Sequence, residues 1–430
     1  MSKGPFTTAA LMAAALCTSC SSQKSASKEH DTGTGPVDAP QYDAQIDRAF
    51  GVAPKEPPML RVSKGSNEMA FQLFSQMQGF DSKVISPISI TYLMGMLANG
   101  AEGQTRTDIL KALQCTGLST TQINNACHAL MAQDAADTTG VVKVANYVAV
   151  NHTYQLRPDF VNTLHTHYSA EVEALDFTDP QTKAHINQWC SKHTDGMIPQ
   201  IVDQVEPSVM SYILNAIYFH GTWADTFQKS QTRKEAFRGY TRDRKMADMM
   251  HQWSEFDYYS NDTYAAVTLP YSSYRYAMTI LLPAKGKSIS DMMKQLTAEE
   301  ATQKLPARME RCEVDLKLPR FTTSTDLQLN DLISQLGASS MFSSSVANFS
   351  QLAEGSFFVS KMFQKAKIEV NEGGTRAAAI TGAMVGPTSA CMPLELRYVN
   401  FYADHPFVYL ITDRHTGAIL FMGQFTGDEL

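Results

Sequence analysis

The chain has 430 residues, 43% of them hydrophobic and 18% charged, with a formal net charge of −7. That balance describes a globular protein with ample material for a core. With no block of Lys and Arg, it argues against a nucleic-acid role. Beyond the N-terminus no stretch reaches the roughly 18 consecutive apolar residues of a membrane span, and no internal repeat is present.

The first element in chain order is a leader. Lys3 precedes the short apolar run Ala9–Leu16, and Cys17-Thr18-Ser19-Cys20-Ser21-Ser22 follows. Such a run is too short to cross a bilayer and suits a signal-peptide core. Cys17 and Cys20 form a C-x-x-C, which elsewhere can mean redox chemistry. Directly behind a signal core the segment instead resembles the lipobox of bacterial lipoproteins. Residues 1–19 would be cleaved off, and the Cys20 thiol would take the lipid. Cys17 departs from the pattern, which prefers Leu there, and simple secretion is the alternative. The expectation is an exported protein in the periplasm or at the cell surface, touching a membrane through its lipid alone. Residues 20–60, rich in Ser, Asp, Gly, Lys and Pro, read as a disordered tether. Residues 61–430 read as the folded domain. The remaining cysteines, Cys115, Cys127, Cys190, Cys312 and Cys391, are odd in number and scattered. They read as small core residues rather than a disulfide framework.

Order is expected from about Ser63. Met69, Ala70, Leu73, Phe74 and Met77 recur at helical spacing, which predicts a helix over 67–77. Ser86 and Pro87 suit the N-cap and first residue of a second helix. Through Leu97 that helix is apolar nearly all round, so it belongs in the interior. Thr105-x-x-Asp108 reads as a capping-box-like start. The segment 121–138 looks helical and carries no Lys or Arg. A strand is predicted over 144–150, and a later helix is stopped at Gly196.

The stretch 367–387 has its own pattern. Ile368-Glu369-Val370 alternates apolar and charged residues, as a strand does, and Gly373-Gly374 opens a permissive hinge. Taken in steps of two, Thr375, Ala377, Ala379, Thr381, Ala383 and Val385 form one face, small and uncharged. Arg376, Ala378, Ile380, Gly382, Met384 and Gly386 form the other. A strand puts these sets on opposite faces, so the first could be buried inside a sheet.

Glu372, Gly374, Thr375 and Ala377-Ala378-Ala379 closely resemble the hinge and reactive-centre loop of the serpins. Motifs in the body of the chain agree in order: Ser86-Pro87 with Ser89-Ile90, Leu214–Trp223, Leu269-Pro270-Tyr271, Met278–Pro283, Leu318–Phe321 and Asp404-His405-Pro406-Phe407. The resemblance covers about residues 63–425. It implies an α+β serpin fold of three β-sheets and eight or nine helices, with an exposed reactive-centre loop. It also implies a monomer that works as a suicide inhibitor of serine proteases. The protease would attack the loop and form an acyl-enzyme. The cut loop would then enter the main sheet as a strand. A non-inhibitory serpin-fold binding or chaperone protein is the alternative.

Counting seventeen residues from Glu372 puts the reactive bond at Thr388–Ser389, to within a residue, with Met384 and Met392 as fallback sites. A small β-branched residue there points to an elastase-like or subtilisin-like target. Ser86, Asn215, Trp223 and Gln364 fall in the region that gates sheet opening. Gln364 stands where many serpins have His, and its amide can both donate and accept. Heparin-like activation is not expected, because 121–138 lacks the basic residues it uses. The chain is not expected to be an enzyme, to bind a cofactor or metal, or to bind nucleic acid. It has no G-x-S-x-G and no H-E-x-x-H; His165 and His167 sit two apart, too close to share a helix face, and no Cys partner has zinc-finger spacing to them.

Overall fold

The computed structural model describes residues 56–77, 79–136, 140–240, 244–375 and 396–430. Expectations for 1–19, Cys20, most of 20–60, Ala377–Ala379 and Thr388–Ser389 fall outside the described residues. Nine α-helices are present among the described residues, together with fifteen strands.

Helix α1 spans Pro58–Gln76 with Pro at its first position. The chain is therefore helical five residues before Ser63. Proline there loses no hydrogen bond and fixes a helical φ, which favours the early start. Strand β1 is Lys83–Ile85 and helix α2 is Pro87–Gly100. Every residue of α2 except Asn99 is buried, as its all-round apolar sequence requires. Ile88, Ile90, Leu93, Met94, Met96 and Leu97 are each 1% exposed or less. Each such side chain contributes about 1.5–3 kcal/mol of transfer free energy.

Helix α3 (Gly103–Ala112) does not use the expected capping box. Glu102 is its N-cap, and Thr105 is buried with its hydroxyl accepting from Asn348 N at 3.0 Å. Asp108 instead accepts from Ser340 Oγ at 2.7 Å. A tertiary contact has taken both box residues.

Helix α4 is Thr120–Ala136 and strand β2 is Gly140–Asn151. Helix α5 (Pro158–Tyr168), strand β3 (Glu171–Leu175) and helix α6 (Gln181–His193) follow. Gly196, at φ +74°, turns the chain away after α6 as expected. Then come β4 (Ser211–Thr222), β5 (Arg233–Arg238), β6 (Arg244–Ser260), β7 (Tyr264–Pro270) and β8 (Tyr276–Pro283). Helices α7 (Ile289–Met293) and α8 (Leu305–Arg308) lead to β9 (Glu310–Pro319) and β10 (Phe321–Gln328). Helix α9 (Asn330–Ile333) precedes β11 (Lys361–Asn371), β12 (Gly374–Thr375), β13 (Arg397–Tyr402), β14 (Phe407–Asp413) and β15 (Ile419–Phe425).

The main sheet has the order β10-β11-β12-β4-β2-β3. The other nine strands form one hydrogen-bonded network through the 17-residue β6. Its residues 244–258 pair with β5 and β9, and 257–260 pair with β7. The two halves joined at β6 are the second and third sheets of the expected fold.

The principal core lies under the main sheet and contains α2 together with the inner faces of both networks. A smaller core packs α6 on the outer face of β2 and β4, with Ile186, Trp189 and Cys190 against Tyr147, Tyr212 and Leu214. Cys115, Cys127, Cys190 and Cys312 are buried free thiols, and burial raises all four pKa values, Cys115 to about 11.

Candidate functional site

The hinge region lies at the mouth of the main sheet. β11 and β4 run parallel and pair directly from Lys361–Tyr212 to Lys367–Tyr218. Beyond that point β12 takes the place between them. Gly374 and Thr375 pair antiparallel with Asn371 and Val370 of β11 on one side. They pair antiparallel with Thr222 and Gly221 of β4 on the other. Glu372 and Gly373 are thus the two loop residues of a tight hairpin that turns the chain back into its own sheet.

The expected freedom of the two glycines has a specific use at Gly374. Its φ is +141°, and a Cβ there would lie 2.0 Å from the carbonyl oxygen of Gly221. Only glycine permits that approach. Gly221 is equally confined, because a Cβ would meet the rings of Phe219 and Tyr271 at 2.7–2.8 Å.

The hinge is held rather than loose. Trp223 N donates to Gly373 O at 3.0 Å, and Phe227 N donates to Glu372 O at 2.9 Å. The Trp223 indole donates to Asn371 O at 3.0 Å and stacks on Tyr271 with ring centroids 4.6 Å apart. Tyr271 in turn shares a 2.8 Å hydrogen bond with the hydroxyl of Thr375, which is fully buried on the core side. Thr375 therefore begins the face that the sequence marks as the entering one.

The Glu372 carboxylate, 4% exposed, accepts from Arg320 Nη2 at 2.5 Å and from Thr232 Oγ1 at 2.7 Å. Burial pushes its pKa up, but the bonds from Arg320 and Thr232 outweigh that and leave it below the usual carboxylate range.

Lower in the sheet lies a chain of buried amides. Gln364 on β11 accepts from Ser86 N at 3.0 Å and donates to Ser86 O at 2.9 Å and to Asn215 Oδ1 at 3.3 Å. Asn215 on β4 donates to Asn146 Oδ1 on β2, and Asn146 donates to Tyr168 O on α5. The Tyr168 hydroxyl donates to Asn124, which exchanges two amide bonds with Asn99 of α2. The network crosses three strands and ties them to the helices beneath.

Of the four residues assigned to sheet opening, Ser86, Asn215 and Gln364 come together in this network, whereas Trp223 lies at the hinge. Gln364 engages Ser86 through the backbone. The Ser86 hydroxyl is buried without a partner, and no side-chain cap forms. Sequence reasoning missed Asn146, Asn124, Asn99 and the Glu372 partners Arg320 and Thr232. The amides carried a weak signal, since polar residues inside otherwise apolar strands must find partners. Arg320 and Thr232 lie 52 and 140 residues from Glu372 and carried none.

The comparisons agree with this geometry. The family model described as "Serpin (serine protease inhibitor)" matches residues 64–427. The chain belongs to the serpin family. It is 32% identical to human leukocyte elastase inhibitor over 384 residues, covering 86% of this chain and all of the relative. A serpin-like protein of Thermococcus kodakarensis is 30% identical, over 83% of this chain and 84% of the relative. Among solved structures, native protease nexin-1 with heparin superposes at a TM-score of 0.74 with 28% identity, covering 86% of this chain and 99% of that one. The thermophilic serpin tengpin in its native state superposes at 0.77 with 23% identity, covering 85% and 94%. The serpin family consists mostly of protease inhibitors rather than enzymes, and this serpin is a member through its whole folded unit.

Proposed function

We propose that this serpin is a covalent, loop-inserting inhibitor of elastase-like or subtilisin-like serine proteases. The observation that carries the reading is β12, a two-residue strand already seated between β11 and β4. Extending its register down the sheet pairs Ala377 with Phe219 and Ile368, Ala379 with Ile217 and Ala366, and Thr381 with Asn215 and Gln364. The small face 375–385 would then enter the apolar core, and the Thr381 hydroxyl would arrive at the buried amide rung of Asn215 and Gln364.

In this mechanism the protease's catalytic serine attacks the carbonyl carbon of Thr388. The bond to Ser389 nitrogen breaks, that nitrogen leaves as the amine, and Thr388 remains as an acyl ester on the enzyme. Insertion of about 12 residues at about 3.3 Å each carries the ester roughly 40 Å from the sheet mouth. The intact fold is a kinetic trap that one cleavage releases. Similarity to leukocyte elastase inhibitors supports the target class. Polyanion activation is outside the proposal, since α4 carries no Lys or Arg. The proposal also includes export, lipidation at Cys20 and a tether over 20–60, supported by the order of charged, apolar and Cys-bearing segments in the leader.

The test is denaturing electrophoresis after mixing with elastase-like, subtilisin-like and trypsin-like proteases. A band at the summed mass with the first two is expected. Clean cutting of the loop with the protease fully active overturns the reading in favour of a non-inhibitory serpin. Metabolic labelling with a fatty acid in a bacterial host tests the anchor, and loss of label in Cys20→Ala is the expected result.

A further inference from the structure

The layer formed by β6, β9 and β13 carries an aromatic pair on its outer face. Trp253 of β6 is 66% exposed and Tyr398 of β13 is 50% exposed. Their ring centroids are 5.2 Å apart across the intervening β9, with the planes inclined at 48°. Six large hydrophobic side chains are exposed among the described residues, and these two alone of the six meet ring to ring. The opposite face of the layer behaves normally, with Phe256, Val314, Val399 and Phe401 buried.

Carboxylates surround the pair. Trp253 stands directly across from Asp315, and Tyr398 from Glu313. Glu255 also stands directly across from Glu313, a like-charge pairing that costs stability in a sheet. Arg311 offsets Glu255 and Asp257 at 3.5 and 3.6 Å, but no described cation pairs with Glu313. Exposed paired aromatics and an uncompensated carboxylate are two local costs at one place, where function is the usual reason for keeping them. Chemically, an indole face ringed by carboxylates receives Lys or Arg, through the ring quadrupole and charge-assisted hydrogen bonds together.

Position selects the partner. Tyr398 lies nine residues beyond Ser389, so the chain holds the reactive bond within about 30 Å of the patch even when fully extended. A protease domain of about 250 residues has a radius of gyration near 18 Å, so one bound at that bond is broad enough to reach the patch. We propose that Trp253, Tyr398, Glu255 and Glu313 form a second contact for the target protease, receiving Lys or Arg side chains that flank its active-site cleft. This rests on the reading of the loop as protease bait. The loop contact would raise the effective concentration of the second, and the carboxylates would steer a basic surface toward it.

The experiment uses the full chain and a protease with which the wild type forms the covalent complex. Second-order association rate constants are measured for Trp253→Ala/Tyr398→Ala and for Glu255→Gln/Glu313→Gln, across a salt series. The aromatic variant is expected to associate about tenfold more slowly, a hot-spot-sized loss, while the fraction of encounters ending in complex stays unchanged. The Glu variant is expected to show a shallower salt dependence. Unfolding midpoints no lower than wild type confirm intact folds, and relief of the like-charge pair should raise that of the Glu variant. Wild-type rates and salt slopes in both variants overturn the patch alone and leave the inhibitor reading standing. A faster rate in the aromatic variant overturns it too, since the patch would then be covered by the chain's own loop. Wild type that is only cut, by every protease tried, removes the inhibitor reading and this inference with it.

Discussion

Two parts of one strand pair behave differently. Over Lys361–Lys367, β11 lies directly against β4, and Gln364 and Asn215 bolt the strands to each other and to Ser86. Three residues further on, the same two strands have β12 between them, held by Trp223, Tyr271 and the Glu372–Arg320 pair. The closed part shows that direct pairing is available to these strands, and the open part shows that a third strand fits in the same sheet. The difference lies in side chains. The mouth offers Gly221 and a fully buried Thr375 beside it, whereas the closed region offers buried amides that must exchange partners before anything enters.

The largest expected effect comes from putting a charge on the entering face. Ala379→Glu would carry a carboxylate into the core beside Ile217 and Ala366, a cost too high to leave insertion competitive. Complex yield should fall nearly to zero while the loop is still cut, and a gel with the target protease reads both. Next is the bolt itself. Gln364→Leu strands the Ser86 N–H and Asn215 Oδ1 in the interior, at about 1–3 kcal/mol for each group. A lower urea midpoint and faster loss of activity on standing are expected, while Lys365→Gln nearby should change little.

Gly374→Ala tests the mouth. With φ at +141° and the Gly221 oxygen in the way, the native approach should cost about 1–3 kcal/mol. Faster hydrogen exchange at Thr375 and Trp223 is the expected readout. Glu372→Gln is the smallest change, about 1–2 kcal/mol from weakened charge-assisted bonds to Arg320 and Thr232. Its pH signature has a definite sign. A carboxyl held below its unfolded value stabilises fully above about pH 4.3 and loses that contribution as pH falls through the folded value. Wild type and Glu372→Gln should therefore converge in stability at low pH and separate above it.

Much of this was legible in the sequence. The all-apolar 87–97 helix, the strand alternation of 368–370 and the burial of Thr375 each follow from local periodicity, and the serpin motifs set their order. The capping box at Thr105 misled, because a distant backbone N–H and hydroxyl claimed its residues. Glycine pairs imply freedom when read alone, but Gly374 is used for a fixed close approach that only the position of Gly221 reveals. Ser86 suited an N-cap, but its hydroxyl caps nothing, and its backbone N–H and C=O bind Gln364 instead. Arg320, Thr232 and Asn146 became site residues through long-range contacts that no local pattern encodes.

The central claim is that the register begun by β12 continues once the loop is cut. The direct measurement is the thermal unfolding midpoint before and after cleavage at the loop by a protease that the serpin does not trap. Insertion as a full strand between β4 and β11 predicts a midpoint well above that of the intact protein. A cleaved form that melts at the same temperature or lower would contradict the account.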